Sequence, residues 1–274
     1  MFITFRLITV LVVLPFVLSW HLDFTKEKGA SASGLNTLKI RRNSKQGEHF
    51  VPKPGVRLLG TPGSSLSLDP YESVTLECEA EGNSSPTIHW LKDGRRINQG
   101  DMDGAEVMED KEVSEGFSRT RSRLYLNCVT AKDEGTYQCA SESPYQRVSE
   151  KTDLKLTEAG KISGAICRVK QLLGTPARIY MWTRTRIEVQ GNDIHLLCRA
   201  SGNPQPQIVW LRGNKDGERI KNSHKYEVLQ NGDLVIRNLS WGDLGGYTCM
   251  AQNIHGDEKT LTFVYPAAPE SDLK

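Results

Sequence analysis

A chain of 274 residues with a formal net charge of +2 has room for one large or two ordinary domains, and its charge is too even to point to nucleic acid or a strongly acidic partner. Its 38% hydrophobic content allows real cores without suggesting burial in a membrane.

The N-terminus, "MFITFRLITVLVVLPFVLSW", carries one cation, Arg6, and then a charge-free run from Leu7 to Leu18. Small residues at Val17 and Ser19 permit cleavage after Ser19, so residues 1–19 are predicted to be a secretory signal peptide. The run is short for a bilayer span, which makes a membrane anchor the weaker reading. No other segment has the length and apolarity of a span. The tail 267–274 is polar and lacks a lipid-anchor signal. The expectation is a secreted, extracellular protein without a membrane span. Residues 20–53 hold few large apolar residues and no clear period, and read as disordered. Arg41-Arg42 within them is either a processing site or solvated charge.

All six cysteines lie beyond the signal, and an even count in a secreted chain suggests three disulfides without saying which. The rest of the chain contains a repeat. Its first copy runs from Cys78 through Trp90 to "DEGTYQC" at Cys139. Its second runs from Cys198 through Trp210 to "DLGGYTC" at Cys249, with the same Cys-to-Trp spacing of twelve. Alternating strands precede each first cysteine, "SVTLEC" and "DIHLLC". They put Val74, Leu76 and Cys78 on one face, and likewise Ile194, Leu196 and Cys198. Further alternating strands, "RLYL" and "DLVI", follow each Trp after a turn-rich loop.

These residues resemble the immunoglobulin fold of the I-set. Both copies carry its Asp-x-Gly-x-Tyr-x-Cys motif, as Asp133, Gly135, Tyr137, Cys139 and as Asp243, Gly245, Tyr247, Cys249. The likeness spans about residues 54 to 265. It implies an all-β chain of two tandem I-set-like immunoglobulin β-sandwiches, with domain 1 at 54–158, a connector at 159–176 and domain 2 at 177–266. It also implies core disulfides Cys78–Cys139 and Cys198–Cys249, each beneath a packed tryptophan, Trp90 and Trp210. Tyr137 and Tyr247 would turn their hydroxyls back to the backbone and fix a corner. Domain 1 departs from the pattern after Cys139 and separates its two core cysteines by 61 residues against 51 in domain 2.

Cys128 and Cys167 are left over. In the implied fold, strands E and G of domain 1 end at the same pole, so the expectation is a Cys128–Cys167 bridge pinning the connector and restricting the interdomain angle. An intermolecular bridge is the alternative. In the second copy Asn238 stands where Cys128 stands in the first.

No catalytic motif occurs: the chain has no Gly-x-Ser-x-Gly, no His-Glu-x-x-His and no phosphate loop. No enzyme, no metal and no cofactor is expected. Residues 159–187 contain six cations and no acid, namely Lys161, Arg168, Lys170, Arg178, Arg184 and Arg186, whereas 101–115 hold seven acids and one Lys. Either the strip binds a heparan-type glycan or an acidic partner, or its charges balance within the molecule. In "RIYMWTRTRIEV", alternation sets Ile179 and Met181 against Tyr180 and Trp182. One pair is left as a partner surface unless the other domain or the connector covers it. Arg178, Tyr180, Trp182, Arg184 and Arg186 are therefore the candidate partner contacts. Two sequons, Asn83 in "NSS" and Asn238 in "NLS", are candidate N-glycan sites.

The phrases "PARIY", "NGDLVI" and "TFVYP", with a signal peptide and two Ig domains, are similar to the secreted zwei-Ig-domain proteins of nematodes and to the insulin-binding imaginal morphogenesis protein of insects. The nematode likeness implies a nervous-system recognition protein that maintains axon position by binding a cell-surface receptor, an adhesion molecule or a matrix partner. The insect likeness implies a soluble binder that sequesters insulin-like peptides and antagonises insulin signalling. A matrix component held through glycans is a third class.

Overall fold

Alternating apolar and polar residues make strands here, and the strands stack into two sandwiches. The computed structural model describes residues 55–83, 85–99, 116–144, 146–158, 164–213 and 217–269. The signal segment, residues 20–53, Arg41-Arg42, the acidic run 101–115, Lys161 and the tail residues 270–274 lie outside the described residues.

The first sandwich contains β1 (Val56–Gly60), β2 (Ser65–Leu68), β3 (Val74–Asn83), β4 (Thr87–Lys92), β5 (Arg95–Arg96), β6 (Phe117–Leu126), β7 (Gly135–Glu142) and β8 (Arg147–Leu156). A helix, α1 (Gly164–Leu172), follows within the stretch read as connector. The second sandwich contains β9 (Thr175–Val189), β10 (Ile194–Leu196), β11 (Cys198–Asn203), β12 (Gln207–Arg212), β13 (Glu218–Arg219), β14 (Tyr226–Val228), β15 (Leu234–Ile236), β16 (Gly245–Asn253) and β17 (Gly256–Ala267).

Each core is built by the residues that point inward at period two. In the first, Leu76, Cys78, Ala80, Trp90, Leu124, Tyr137 and Leu154 are buried together. In the second, Ile194, Leu196, Cys198, Trp210, Ile236, Tyr247 and Val264 are. Disulfides cross both sandwiches, Cys78–Cys139 with Cα atoms 6.5 Å apart and Cys198–Cys249 at 6.4 Å. Each closes a long loop and contributes about 4 kcal/mol by chain entropy.

The sheets do not stop at the domain boundary. Strand β2 leads a five-stranded sheet β2-β8-β7-β4-β5 confined to the first sandwich. The other sheet of that sandwich, β1-β3-β6, continues through β9 into β17-β16-β12-β13, giving a nine-stranded sheet in which β11 also pairs with β9. An edge strand exposes a row of unsatisfied N–H and C=O groups. The edge of β6 is satisfied by the first strand of the other domain. The pairing runs antiparallel from Phe117 opposite Ile187 to Ser122 opposite Met181, with a bulge near Arg184. Both sandwiches belong to one compact unit.

Candidate functional site

Strand β9 holds the domains together because it belongs to both. Along its first half it pairs with β11, and along its second half it runs parallel to β17. Irregularities in both pairings break the two-residue period. Ile179 and Trp182 therefore enter the second core, while Tyr180 and Met181 enter the first. Simple alternation pairs these side chains wrongly. All four are buried, so the expectation that Tyr180 and Trp182 meet a partner is corrected: the core of the neighbouring domain takes Tyr180, and the core of its own domain takes Trp182.

Small polar side chains make the close approach of the two domains possible. Ser118, Thr120, Ser122 and Thr183 are fully buried at the seam. Ser122 Oγ accepts from Trp90 Nε1 at 3.0 Å and donates to the Tyr180 carbonyl at 2.9 Å, linking the indole of one core to the backbone of β9. Thr183 Oγ1 accepts from the Leu197 amide at 2.9 Å. Gly116 admits β9 because a Cβ there would overlap the Glu188 carboxylate and the Ile187 carbonyl oxygen. Arg186 is buried too, donating to Glu188 at 2.7 Å and to Ser85 Oγ at 2.5 Å. It reaches from one sandwich to the other, so it also leaves the set of accessible partner contacts.

The two remaining arginines have internal partners, although the Arg184 side chain stays 44% exposed. Arg184 NH1 lies 3.2 Å from Glu79, and Arg178 donates to Asn127 Oδ1 at 2.9 Å while its guanidinium sits 4.8 Å from the Tyr125 ring. On its C-terminal side the basic strip is thus answered by Glu79 of the first sandwich, which the sequence places a hundred residues away, and by Glu188 of β9 itself. The side chains of Arg168 and Lys170 lie outside the described residues.

Glu79 belongs to a ladder of acids. Glu77, Glu79 and Glu81 on β3 stand directly opposite Arg123, Arg121 and Arg119 on β6. Arg123 Nε donates to Glu77 at 2.8 Å and Arg119 Nε to Glu81 at 2.8 Å, while Arg121 pairs with both Glu79 and Glu77. Burial pushes the Glu79 and Glu81 carboxyls up, but bonds from Arg121 and Arg184 to the first, and from Arg119 and Arg57 to the second, hold both below the ordinary range. The carboxylates stay charged. Arg123 also stands 4.7 Å from the Trp182 ring, capping the edge of the second core, and bonds Glu258 at 2.9 Å. Each triplet was readable at period two, as "ECEAEG" and "SRTRSR", but their register against one another was not.

Across the seam the same face becomes apolar. Arg119 is opposite Thr185, Thr185 is opposite Phe263, and Phe263 is opposite Gly246. In the next row Phe117 is opposite Ile187 and Ile187 opposite Tyr265. Leu261, Phe263 and Tyr265 point outward from β17, with Phe263 46% exposed. Trp241 meets Tyr265 edge-on at 5.7 Å. Sequence reading missed this stripe. In "TLTFVYP" apolar residues occur on both faces, and the inward side is taken by Thr262 and Val264.

The corners repeat. Tyr137 donates to the Asp133 carbonyl at 2.8 Å and Tyr247 to the Asp243 carbonyl at 3.0 Å. Cys128 bridges to Cys167 with Cα atoms 5.7 Å apart, fastening α1 to the first sandwich. Asn83 is half-buried at the end of β3 opposite Phe117, and Asn238 is exposed.

Two sandwiches, each with a disulfide beneath a tryptophan and a tyrosine-locked corner, define a tandem immunoglobulin protein. An immunoglobulin-domain family model matches residues 53–142 and 175–253. The chain is 31% identical over 232 residues to Zwei Ig domain protein zig-4 of Caenorhabditis elegans, covering 82% of this chain and 85% of the relative. It is 29% identical over 214 residues to Neural/ectodermal development factor IMP-L2 of Drosophila melanogaster, covering 77% of each. The crystal structure of IMP-L2 matches with a TM-score of 0.63 at 25% identity, covering 80% of this chain and 98% of that one. The chain belongs to the immunoglobulin-domain family, among the two-domain proteins of the zwei Ig group. Among the described residues no helix is long and apolar enough to cross a membrane.

Proposed function

We propose that the protein is secreted and acts as an extracellular recognition protein in the nervous system. It maintains axon position by holding a cell-surface or matrix partner through surface contacts rather than chemistry. Three disulfides among the described cysteines support an oxidising compartment. The observation that carries the recognition reading is the accessible apolar stripe of Leu261, Phe263 and Tyr265 on a sheet shared by two fixed domains. Exposed apolar patches on soluble domains mark partner sites. The test applies labelled full-length protein to nerve-cord tissue. Saturable staining of neuronal surfaces, reduced by Phe263→Ser with Tyr265→Ser, is the expected result. Staining no stronger than that of an unrelated two-domain immunoglobulin control overturns it.

A second reading, sequestration of insulin-like peptides, is favoured by the fold likeness to the insect protein at a TM-score of 0.63. Calorimetry with insulin-like peptides separates the two. Absence of heat at about micromolar concentrations, where affinity near −8 kcal/mol would register, removes it.

A further inference from the structure

We propose that the outer face of the nine-stranded sheet docks an acidic protein, one whose surface presents an apolar ridge edged by carboxylates. The inference rests on the recognition reading above and adds the chemistry of the partner.

Charge on this face is arranged unequally. Every ladder carboxylate is shared by two guanidiniums: Glu77 by Arg121 and Arg123, Glu79 by Arg121 and Arg184, Glu81 by Arg57 and Arg119. The carboxylates of Glu79 and Glu81 are tucked in, with side chains 12% and 8% exposed, while Arg57 is 72% and Arg184 44% exposed. Glu77, 40% exposed, lies in the row of Arg123, away from the stripe, so what an approaching surface meets beside the stripe is cationic, with N–H donors left over after the internal pairs are made. This cationic margin runs into the apolar stripe without a break. Along one row the order is Arg57, Glu81, Arg119, Thr185 and Phe263. Strands are spaced about 4.8 Å apart, so Arg119 and Phe263 stand about 10 Å from one another, a span that one docked helix or strand covers. Apolar burial at the stripe supplies affinity, and the guanidiniums select acidic ridges and reject basic ones. A second copy of this chain fits less well, since it would bring one cationic margin toward another.

The test selects a random-peptide display library on the immobilised full-length protein. Enriched peptides are expected to combine aromatic or aliphatic residues with Asp and Glu. Their binding should fall about tenfold or more for Phe263→Ser with Tyr265→Ser, as loss of central aromatic anchors does. It should also fall about tenfold for Arg57→Glu with Arg184→Gln, and weaken as salt is raised. Circular dichroism of both variants establishes that they fold. No enrichment, enrichment without acidic bias, or binding that both variants retain overturns the proposal. So does a dimer in sedimentation that the stripe variant dissolves, or retention on heparin that competes with the selected peptides. Peptide selection that succeeds while nerve-cord staining fails sinks the nervous-system reading alone. Staining that Phe263→Ser with Tyr265→Ser reduces but Arg57→Glu with Arg184→Gln does not, with no acidic peptide selected, sinks this inference alone.

Discussion

The two E–F corners of the molecule are the same construction finished in different ways. Each begins with a hydroxyl residue and an aspartate three positions on. The Asp133 carboxylate accepts from the Thr130 amide at 2.8 Å, and that of Asp243 from the Ser240 amide at 2.8 Å. The tyrosine two residues before the core cysteine then locks the turn. Just upstream, the backbone passes through the left-handed region at both corners, at Cys128 with φ 55° and at Asn238 with φ 49°. Asparagine tolerates that conformation well and cysteine less so. In domain 2 the position is occupied by the residue suited to the backbone. In domain 1 it is occupied by a residue that can hold α1 in place. The extra cysteine is thus a substitution at a repeated position, used for a tether, and not an insertion into the pattern.

Breaking the shared part of the comparison should cost the most. Cys198→Ala with Cys249→Ala removes a bridge closing a 51-residue separation, and is expected to lower stability by about 4 kcal/mol in denaturant titration. Equal stability of the double variant would show that the bridge does not hold the sandwich. The tether should cost less, because its half-cystines lie beside the sandwich and not across it. Cys128→Asn with Cys167→Ser copies the domain 2 corner and is expected to lose about 2 kcal/mol. It should also lose less than Cys128→Val with Cys167→Ser, which puts a β-branched residue at positive φ. If the valine variant is the more stable, the corner conformation is not what links the two sites.

The seam comes next. Ser122→Ala leaves the Trp90 indole N–H without its acceptor inside a core, a loss of about 1–3 kcal/mol. Hydrogen exchange should rise on β9 as well as on β4, because the same hydroxyl donates to the Tyr180 carbonyl. Exchange rising on β4 alone would show the domains to be joined without this serine.

Titration distinguishes the corners further. Burial raises the Asp243 carboxyl, but Lys225 and Ser240 hold it below the ordinary value of 3.8. Its folded value is depressed, so the stability it adds is present above pH 3.8 and lost as pH falls through the folded value. Lys225→Met should move acid unfolding of domain 2 to higher pH while leaving domain 1 unchanged. At the alkaline end, burial and then the Asp133 and Asp93 charges push Tyr137 from 10.0 to about 12. A raised value means its contribution is complete below pH 10.0 and lost as pH climbs toward about 12, a loss that Tyr137→Phe removes. The smallest effect concerns Asn83, which stands in the row of Phe117, Ile187 and Tyr265. If it carries a glycan, Asn83→Gln should strengthen peptide binding to the stripe about twofold, read by the same display assay.

Both sandwiches are legible along the chain alone. The spacing of Cys78, Trp90 and Cys139, repeated at Cys198, Trp210 and Cys249, is set by local strand geometry and by the thickness of one core, and both are properties a short stretch of chain expresses. The chain also shows the alternating glutamates and arginines, since period two is local. Their meeting depends on how the strands pair and how the two sandwiches pack. Tyr180 and Trp182 looked presentable because alternation is a rule for one strand facing one core, and β9 faces two. Arg178 and Arg184 looked like part of a free basic strip because the amide of Asn127 and the carboxylate of Glu79 that answer them come from another domain. Pairing between strands far apart in sequence is fixed by which edge is left open and which side chains are small enough to close it, here Gly116, Ser118, Thr120 and Ser122, and such a choice exists only once both sheets are built.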